Sequence, residues 1–147
     1  MKILEDTKLD YSDVLIRPKR SVLESRKDVD LNRTFTFKNG TKWTGVPIAA
    51  ANMDTTGTIE MGKVLCEHNM LTCLSKHQNE PYKYSQLSAE QMNSMALSFG
   101  LQDRDLLIND AFAKEFSYNW NFFCLDVANG YTQRFVDFVK EVRERWP

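Results

Sequence analysis

The chain has 147 residues, of which 42% are hydrophobic and 12% aromatic; that is one domain's worth, with enough apolar material for a real core, and it excludes a disordered chain. Nineteen basic residues against 20 acidic ones leave a formal charge of -1, which excludes a diffuse electrostatic pull toward nucleic acid or an anionic membrane. No stretch approaches the roughly 18 consecutive apolar residues that span a bilayer.

The opening Met1-Lys2-Ile3-Leu4-Glu5-Asp6 has no signal-type apolar segment, so a cytoplasmic protein is expected. Cys66, Cys73 and Cys124 are an odd count without metal-type spacing; reduced thiols and no metal site are expected. Residues 1–45 are rich in charge and lack a helix-period apolar stripe, and they read as an extended leader. In it Asp13-Val14-Leu15-Ile16 precedes the basic turn Arg17-Pro18-Lys19-Arg20. Val29-Asp30-Leu31 and Thr34-Phe35-Thr36-Phe37 alternate as edge strands do, and Asn39-Gly40 suits a turn between short strands.

From Val46 the pattern becomes strand, polar loop, helix, repeated. Val46–Ala51 is small and continuously apolar, as a parallel strand covered on both faces requires. Thr58–His68 predicts a helix with Met61, Val64 and Leu65 on its apolar side, and Met70–Leu74 a second strand. Pro81 suits a first helical turn and opens a polar helix through Met92. Met95–Leu97 predicts a third strand, and Asp103 a cap for a helix in which Ile108, Ala111 and Phe112 share a face. Phe122–Val127 predicts a fourth strand. The helix after it carries the clearest stripe: Phe135, Phe138, Val139, Val142 and Trp146 fall at i, i+3, i+4, i+7 and i+11. Strands alternating with helices argue for right-handed βαβ units and a parallel sheet.

The apolar runs end in polar clusters: Asn52-Met53-Asp54, Ser75-Lys76-His77, Ser98-Phe99-Gly100 and Asp126-Val127-Ala128-Asn129-Gly130. Groups just past the carboxyl ends of parallel strands are where such folds gather ligands. The chain therefore reads as one face of an active site.

The segments Asp13 to Ser21, Val46-Pro47-Ile48-Ala49-Ala50-Ala51-Asn52-Met53-Asp54-Thr55 and Asp126-Val127-Ala128-Asn129-Gly130-Tyr131 resemble GMP reductase and, more distantly, IMP dehydrogenase, over about Leu9 to Pro147. The Ala-Asn-Met-Asp form at 51–54 and the Asp-Val-Ala-Asn-Gly-Tyr form at 126–131 favour the reductase, as does the lack of an inserted regulatory module after the second strand. The resemblance implies an α/β chain forming the N-terminal half of a (β/α)8 TIM barrel, one partial domain with residues 1–45 as leader and 46–147 as four βα units. A whole barrel of this class takes about 250 residues. The implied activity is NADPH-dependent reductive deamination of GMP to IMP and ammonia, in which a cysteine attacks purine C2 and hydride then adds there. In that family the cysteine lies on a loop past the sixth strand, with phosphate-binding glycines further along. This sequence is expected to stop before the fifth, so the chain alone is expected to lack activity.

The resemblance also carries site residues. Ser25 and Arg26 match a leader segment that reaches the adenosine end of NADPH, where a guanidinium suits the 2′-phosphate; read by themselves they are an exposed loop pair. Lys76 matches a lysine near the nicotinamide, there to hold the carboxamide or relay a proton; the plain alternative is a strand-end lysine. Asp126, Val127 and Ala128 match the loop lining the cofactor ribose and nicotinamide. Asn52, Met53 and Asp54 are expected either to floor the purine site or to support the barrel mouth. His77 is one candidate for a general acid or base, with no partner visible in sequence, and His68 is expected to be a helix-end cap. Gln78 stands where the family usually has an aromatic, and Ser98-Phe99-Gly100 where a serine-glycine pair is usual. The three cysteines are read as small core residues. Expected partners are GMP or IMP, NADPH, and a complementary C-terminal half-barrel or further copies of the chain. The alternatives are a non-catalytic nucleotide-binding or regulatory partner of a full-length relative, an IMP dehydrogenase-like fragment, or a decayed fragment.

Overall fold

The computed structural model describes residues 6–78, 81–109 and 120–146. It divides into two units, residues 1–30 and 31–147. In the first, two short 3-10 turns are each closed by a reciprocal side-chain cap. Asp10 and Asp13 cap Tyr11–Asp13, and Ser25 and Asp28 cap Arg26–Asp28. Val29–Leu31 forms no strand, because Val29 ends the second turn with its N–H donated to Arg26 O at 3.3 Å.

The second unit opens with an antiparallel hairpin, β1 (Arg33–Thr36) and β2 (Lys42–Gly45). Cross-strand partners Phe35 and Trp43 stack at 6.0 Å, and the Thr34 and Thr44 hydroxyls bond at 2.9 Å. The turn rests on Gly40, whose φ of +84° is the left-handed conformation glycine takes without a Cβ penalty.

Four parallel strands follow in sequence order: β3 (Ala49–Ala50), β4 (Leu71–Cys73), β5 (Met95–Phe99) and β6 (Phe122–Leu125). Helices intervene as expected, α1 (Ile59–Glu67) after β3 and α5 (Gln133–Arg145) after β6. Thr58 and Thr132 cap them, accepting from Met61 N and Phe135 N. On α5 four of the five stripe residues face the sheet, Phe138 and Val142 buried and Phe135 and Trp146 packed against the same core, while Val139 is exposed.

On α1 the apolar side is not the one expected. Ile59, Gly62 and Cys66 are buried while Met61 and Val64 are exposed. Gly62 explains this: a Cβ there would sit 2.5 Å from Met95 Cε, so the helix approaches β5 through its smallest residue. At about 100° per residue, that turns Met61 and Val64 outward. The helix expected from Pro81 to Met92 is two, α2 (Pro81–Tyr84) and α3 (Ala89–Asn93). Leu87 N donates to Tyr84 O and Leu87 is buried, and Ser88 and Gln91 then form a capping box that restarts the helix. Asp103 precedes α4 (Arg104–Ile108) but does not cap it; its carboxylate accepts Gly100 N at 2.7 Å and closes a 3-10 turn over Leu101–Asp103. The fully buried residue of α4 is Leu107, while Ile108 is half-buried. Ala111 and Phe112 lie outside the described residues. β5 runs two residues further than expected and β6 two fewer. Asp126 N still donates to Phe99 O at 2.9 Å, after which the chain leaves the sheet.

Leu97, Phe99 and Met95 face the helices, where they join Leu74, Leu107, Phe138 and Trp120 in one core. No described helix is long and apolar enough to cross a membrane.

Candidate functional site at the strand ends

Because all four strands run the same way, their carboxyl ends share one edge. There Asn52 and Asp54 after β3, Ser75, Lys76 and His77 after β4, Ser98 to Gln102 around the end of β5, and Asp126 to Ala128 after β6 line a cavity of about 400 Å³.

The loop after β3 is held by Gly57. Its N–H donates to Met53 O at 2.6 Å and its carbonyl accepts Ser75 N at 2.7 Å. A Cβ on Gly57 would lie 2.4 Å from Cys73 O and 2.8 Å from Ser75 N, so the loop lies flat on the end of β4. That contact brings Asp54 to Ser75. The buried Ser75 hydroxyl donates to Asp54 Oδ1 at 2.8 Å and accepts His77 N at 3.4 Å. His77 Nε2 lies 3.9 Å from the same carboxylate oxygen, so a protonated His77 has an acidic partner that spacing along the chain does not reveal.

Across the mouth, Asn52 Nδ2 donates to Asp126 Oδ2 at 3.0 Å. The bond joins the loop after β3 to the loop after β6, passing over β4 and β5, and fixes one oxygen of an exposed carboxylate. Lys76 stands in a 3-10 turn, Lys76–Gln78, with its side chain exposed. The structure thus gathers Asn52, Asp54, Lys76, Asp126, Val127 and Ala128 around one cavity. Met53 does not line it; its side chain is 62% exposed and its carbonyl anchors the Gly57 turn. Ser25 and Arg26 belong to the first unit, where the Ser25 hydroxyl accepts Lys27 N at 3.2 Å. Phe99, at the unusual third-strand end, turns its ring into the core edge-on to Phe123 at 5.6 Å.

None of the three cysteines lines the cavity. Cys66 lies in α1, Cys73 in β4 and Cys124 in β6. The described residues hold no group of three metal-ligating side chains. Ser75 stands in one of the strand-end clusters of the sequence, but its bond to Asp54, the close approach of Gly57 and the Asn52–Asp126 bond have no signal along the chain.

No family model matches the chain. The whole chain is similar to GMP reductases: 48% identical over 151 residues to that of Klebsiella pneumoniae subsp. pneumoniae, 46% over 153 to that of Shewanella pealeana, and 47% over 158 to that of Salmonella typhi. In each case it spans 43% of the relative's length. Among solved structures, inosine 5′-monophosphate dehydrogenase from Legionella pneumophila superposes on 92% of the chain with a TM-score of 0.67 at 23% identity, and the chain covers 40% of it. The resemblance carried by the motifs at 13–21, 46–55 and 126–131 thus holds along the whole chain. The fold is the expected α/β half-barrel with four parallel strands.

Proposed function

We propose, from similarity to GMP reductases along its full length, that this chain supplies the strand-end loops that hold cofactor and purine in an NADPH-dependent reductive deamination of GMP to IMP and ammonia. The observation that carries the reading is the convergence of Asn52, Asp54, Lys76, Asp126, Val127 and Ala128 on one cavity. Bound NADPH would supply hydride to purine C2, and the chain's own residues fit such a cofactor. Asp126 is exposed, and with Oδ2 held by Asn52 it offers Oδ1 to ribose hydroxyls. Lys76 offers an ammonium to the nicotinamide carboxamide. Asp54, oriented by Ser75, steadies the purine side of the loop. The role of Ser25 and Arg26 toward the 2′-phosphate rests on the resemblance alone.

The nucleophilic cysteine that this chemistry needs is not at the cavity. The reading therefore assigns turnover to an assembly in which a complementary half-barrel completes the mouth, with each half covering the other's open sheet edges. The same observation favours a second reading, in which the chain binds nucleotide without catalysis and modulates a full-length relative.

The test is substitution in the reassembled pair. Lys76→Ala and Asp126→Ala are expected to raise KM for NADPH at least tenfold while leaving both halves associated. Unchanged kinetics in both variants would remove the assignment. Inhibition of an intact reductase by the unmodified chain, with no activity on reassembly, would favour the second reading.

A further inference from the structure

The sequence holds two Asn-Gly steps, Asn39-Gly40 and Asn129-Gly130. In such a step the backbone nitrogen of the glycine can attack the asparagine side-chain carbonyl, because no Cβ stands in the way. The two steps share one feature: each asparagine Oδ1 accepts the N–H two residues on, Thr41 N at 3.0 Å and Tyr131 N at 3.0 Å. That bond folds the side chain back over the following peptide and draws electron density from Cγ.

They differ in the attacking nitrogen. Gly40 N donates to Phe37 O at 3.0 Å, inside a hairpin end that Phe37 N and Thr41 O close at 2.9 Å. Its proton is held, and its N–H points at Phe37 and not into water. Gly130 N has no hydrogen bond to any described residue, and Asn129, Gly130 and Tyr131 are exposed. A Cβ on Gly130 would meet nothing nearer than Phe135 Cε1 at 3.6 Å, so solvent reaches this step.

We infer that Asn129 is a site of spontaneous deamidation, at which the chain acquires a new carboxylate beside the strand-end cavity while Asn39 is protected by its hairpin. The Gly130 amide gives up its proton to hydroxide, its nitrogen bonds to Asn129 Cγ, and the Cγ–Nδ2 bond breaks. Ammonia leaves with a proton returned by water, and a cyclic imide remains. Water then reopens the ring, giving aspartate where the Cγ–N bond breaks and isoaspartate where the bond from Gly130 N to the backbone carbonyl breaks. Nothing is oxidised or reduced. Either product puts a negative charge on the loop after β6, three residues beyond Asp126 at the mouth. In isoaspartate the freed carboxylate is the carbonyl that now accepts the Thr132 hydroxyl at 3.4 Å, just ahead of α5, where a helix N-terminus favours negative charge. The site rests on the loop and not on the proposed reaction.

The purified chain, aged in mildly alkaline buffer and sampled by peptide mapping, provides the test. In the folded chain Asn129 is expected to convert on the order of tenfold faster than Asn39, the factor that one held backbone hydrogen bond commands. In urea, where neither glycine amide is held, the two should convert at similar rates. Gly130→Ala, which the open space at that position accommodates and whose folding circular dichroism confirms, should slow conversion of Asn129 about tenfold by placing a Cβ beside the attacking nitrogen. Isoaspartate should accompany aspartate in the product. Equal rates at Asn39 and Asn129 in the folded chain, an unaltered rate in folded Gly130→Ala, or aspartate with no isoaspartate overturns the site.

Discussion

Gly57→Ala is the sharpest test of how the mouth is built. The added Cβ would meet three backbone atoms, Cys73 O at 2.4 Å, Ser75 N at 2.8 Å and Ala51 O at 3.0 Å. Backbone on a strand end does not yield as a side-chain tip does, so the loop from Asn52 to Gly57 must lift from β4. Overpacking of this kind costs about 1–3 kcal/mol. Lifting also weakens the bond from Ser75 N to Gly57 O and the Ser75–Asp54 bond beneath it, adding about 1 kcal/mol. The expected loss is about 2–4 kcal/mol, and for a domain of this size each kcal/mol lowers Tm by about 4 °C. Thermal denaturation followed by circular dichroism should therefore show a fall of roughly 8–16 °C. Gly130→Ala is the control, since the nearest atom to its added Cβ is Phe135 Cε1 at 3.6 Å, an ordinary contact; it should stay within about 0.5 kcal/mol of the parent. A Gly57→Ala chain that melts with the control refutes the close approach and the loop geometry built on it.

Alkylation of Cys124 should set in at lower pH than for an ordinary thiol, because the neighbouring Cys73 thiol holds its pKa down against burial. Cys73→Ala, which removes that neighbour, should move the onset up toward the ordinary thiol range; peptide mapping after timed iodoacetamide exposure reads it, and an unmoved onset contradicts that cause. Leu107→Ala empties a site at 0% exposure in the helix-side core and should cost about 2–5 kcal/mol in urea denaturation; a loss under about 1 kcal/mol would mean α4 does not pack as described. Asn52→Ala removes a partly exposed bond to Asp126 and should cost no more than about 1.5 kcal/mol of stability, while raising KM for NADPH in the reassembled pair; a change in stability without a change in KM would make the bond purely structural.

The elements that could be read from the chain are those whose burial follows side-chain size and period. α5 shows its face because Phe138 and Val142 are large and spaced at i and i+4. α1 hides its face because its closest contact is Gly62, which adds nothing to an apolar count yet decides how near the helix comes to Met95. The break between α2 and α3 comes from the Ser88–Gln91 capping box, which restarts the helix inside the span that Pro81 opens. The candidate site was legible as a set of loops, since parallel strands bring their carboxyl ends to one edge. Its internal wiring was not, because Ser75–Asp54 and Asn52–Asp126 join residues 21 and 74 apart in sequence, the first through the Gly57 turn lying on the end of β4 and the second across the mouth. The same holds for His77, whose acidic neighbour Asp54 arrives from another loop.

The central claim is met most directly by GMP-dependent NADPH oxidation, measured with the purified chain, with a segment of the Klebsiella relative lacking the part this chain matches, and with the two co-expressed. The account predicts turnover only in the combined sample, abolished by replacing the cysteine of the added segment that the proposed mechanism requires. Turnover by the 147-residue chain alone, or none from a soluble, associated pair, would contradict it.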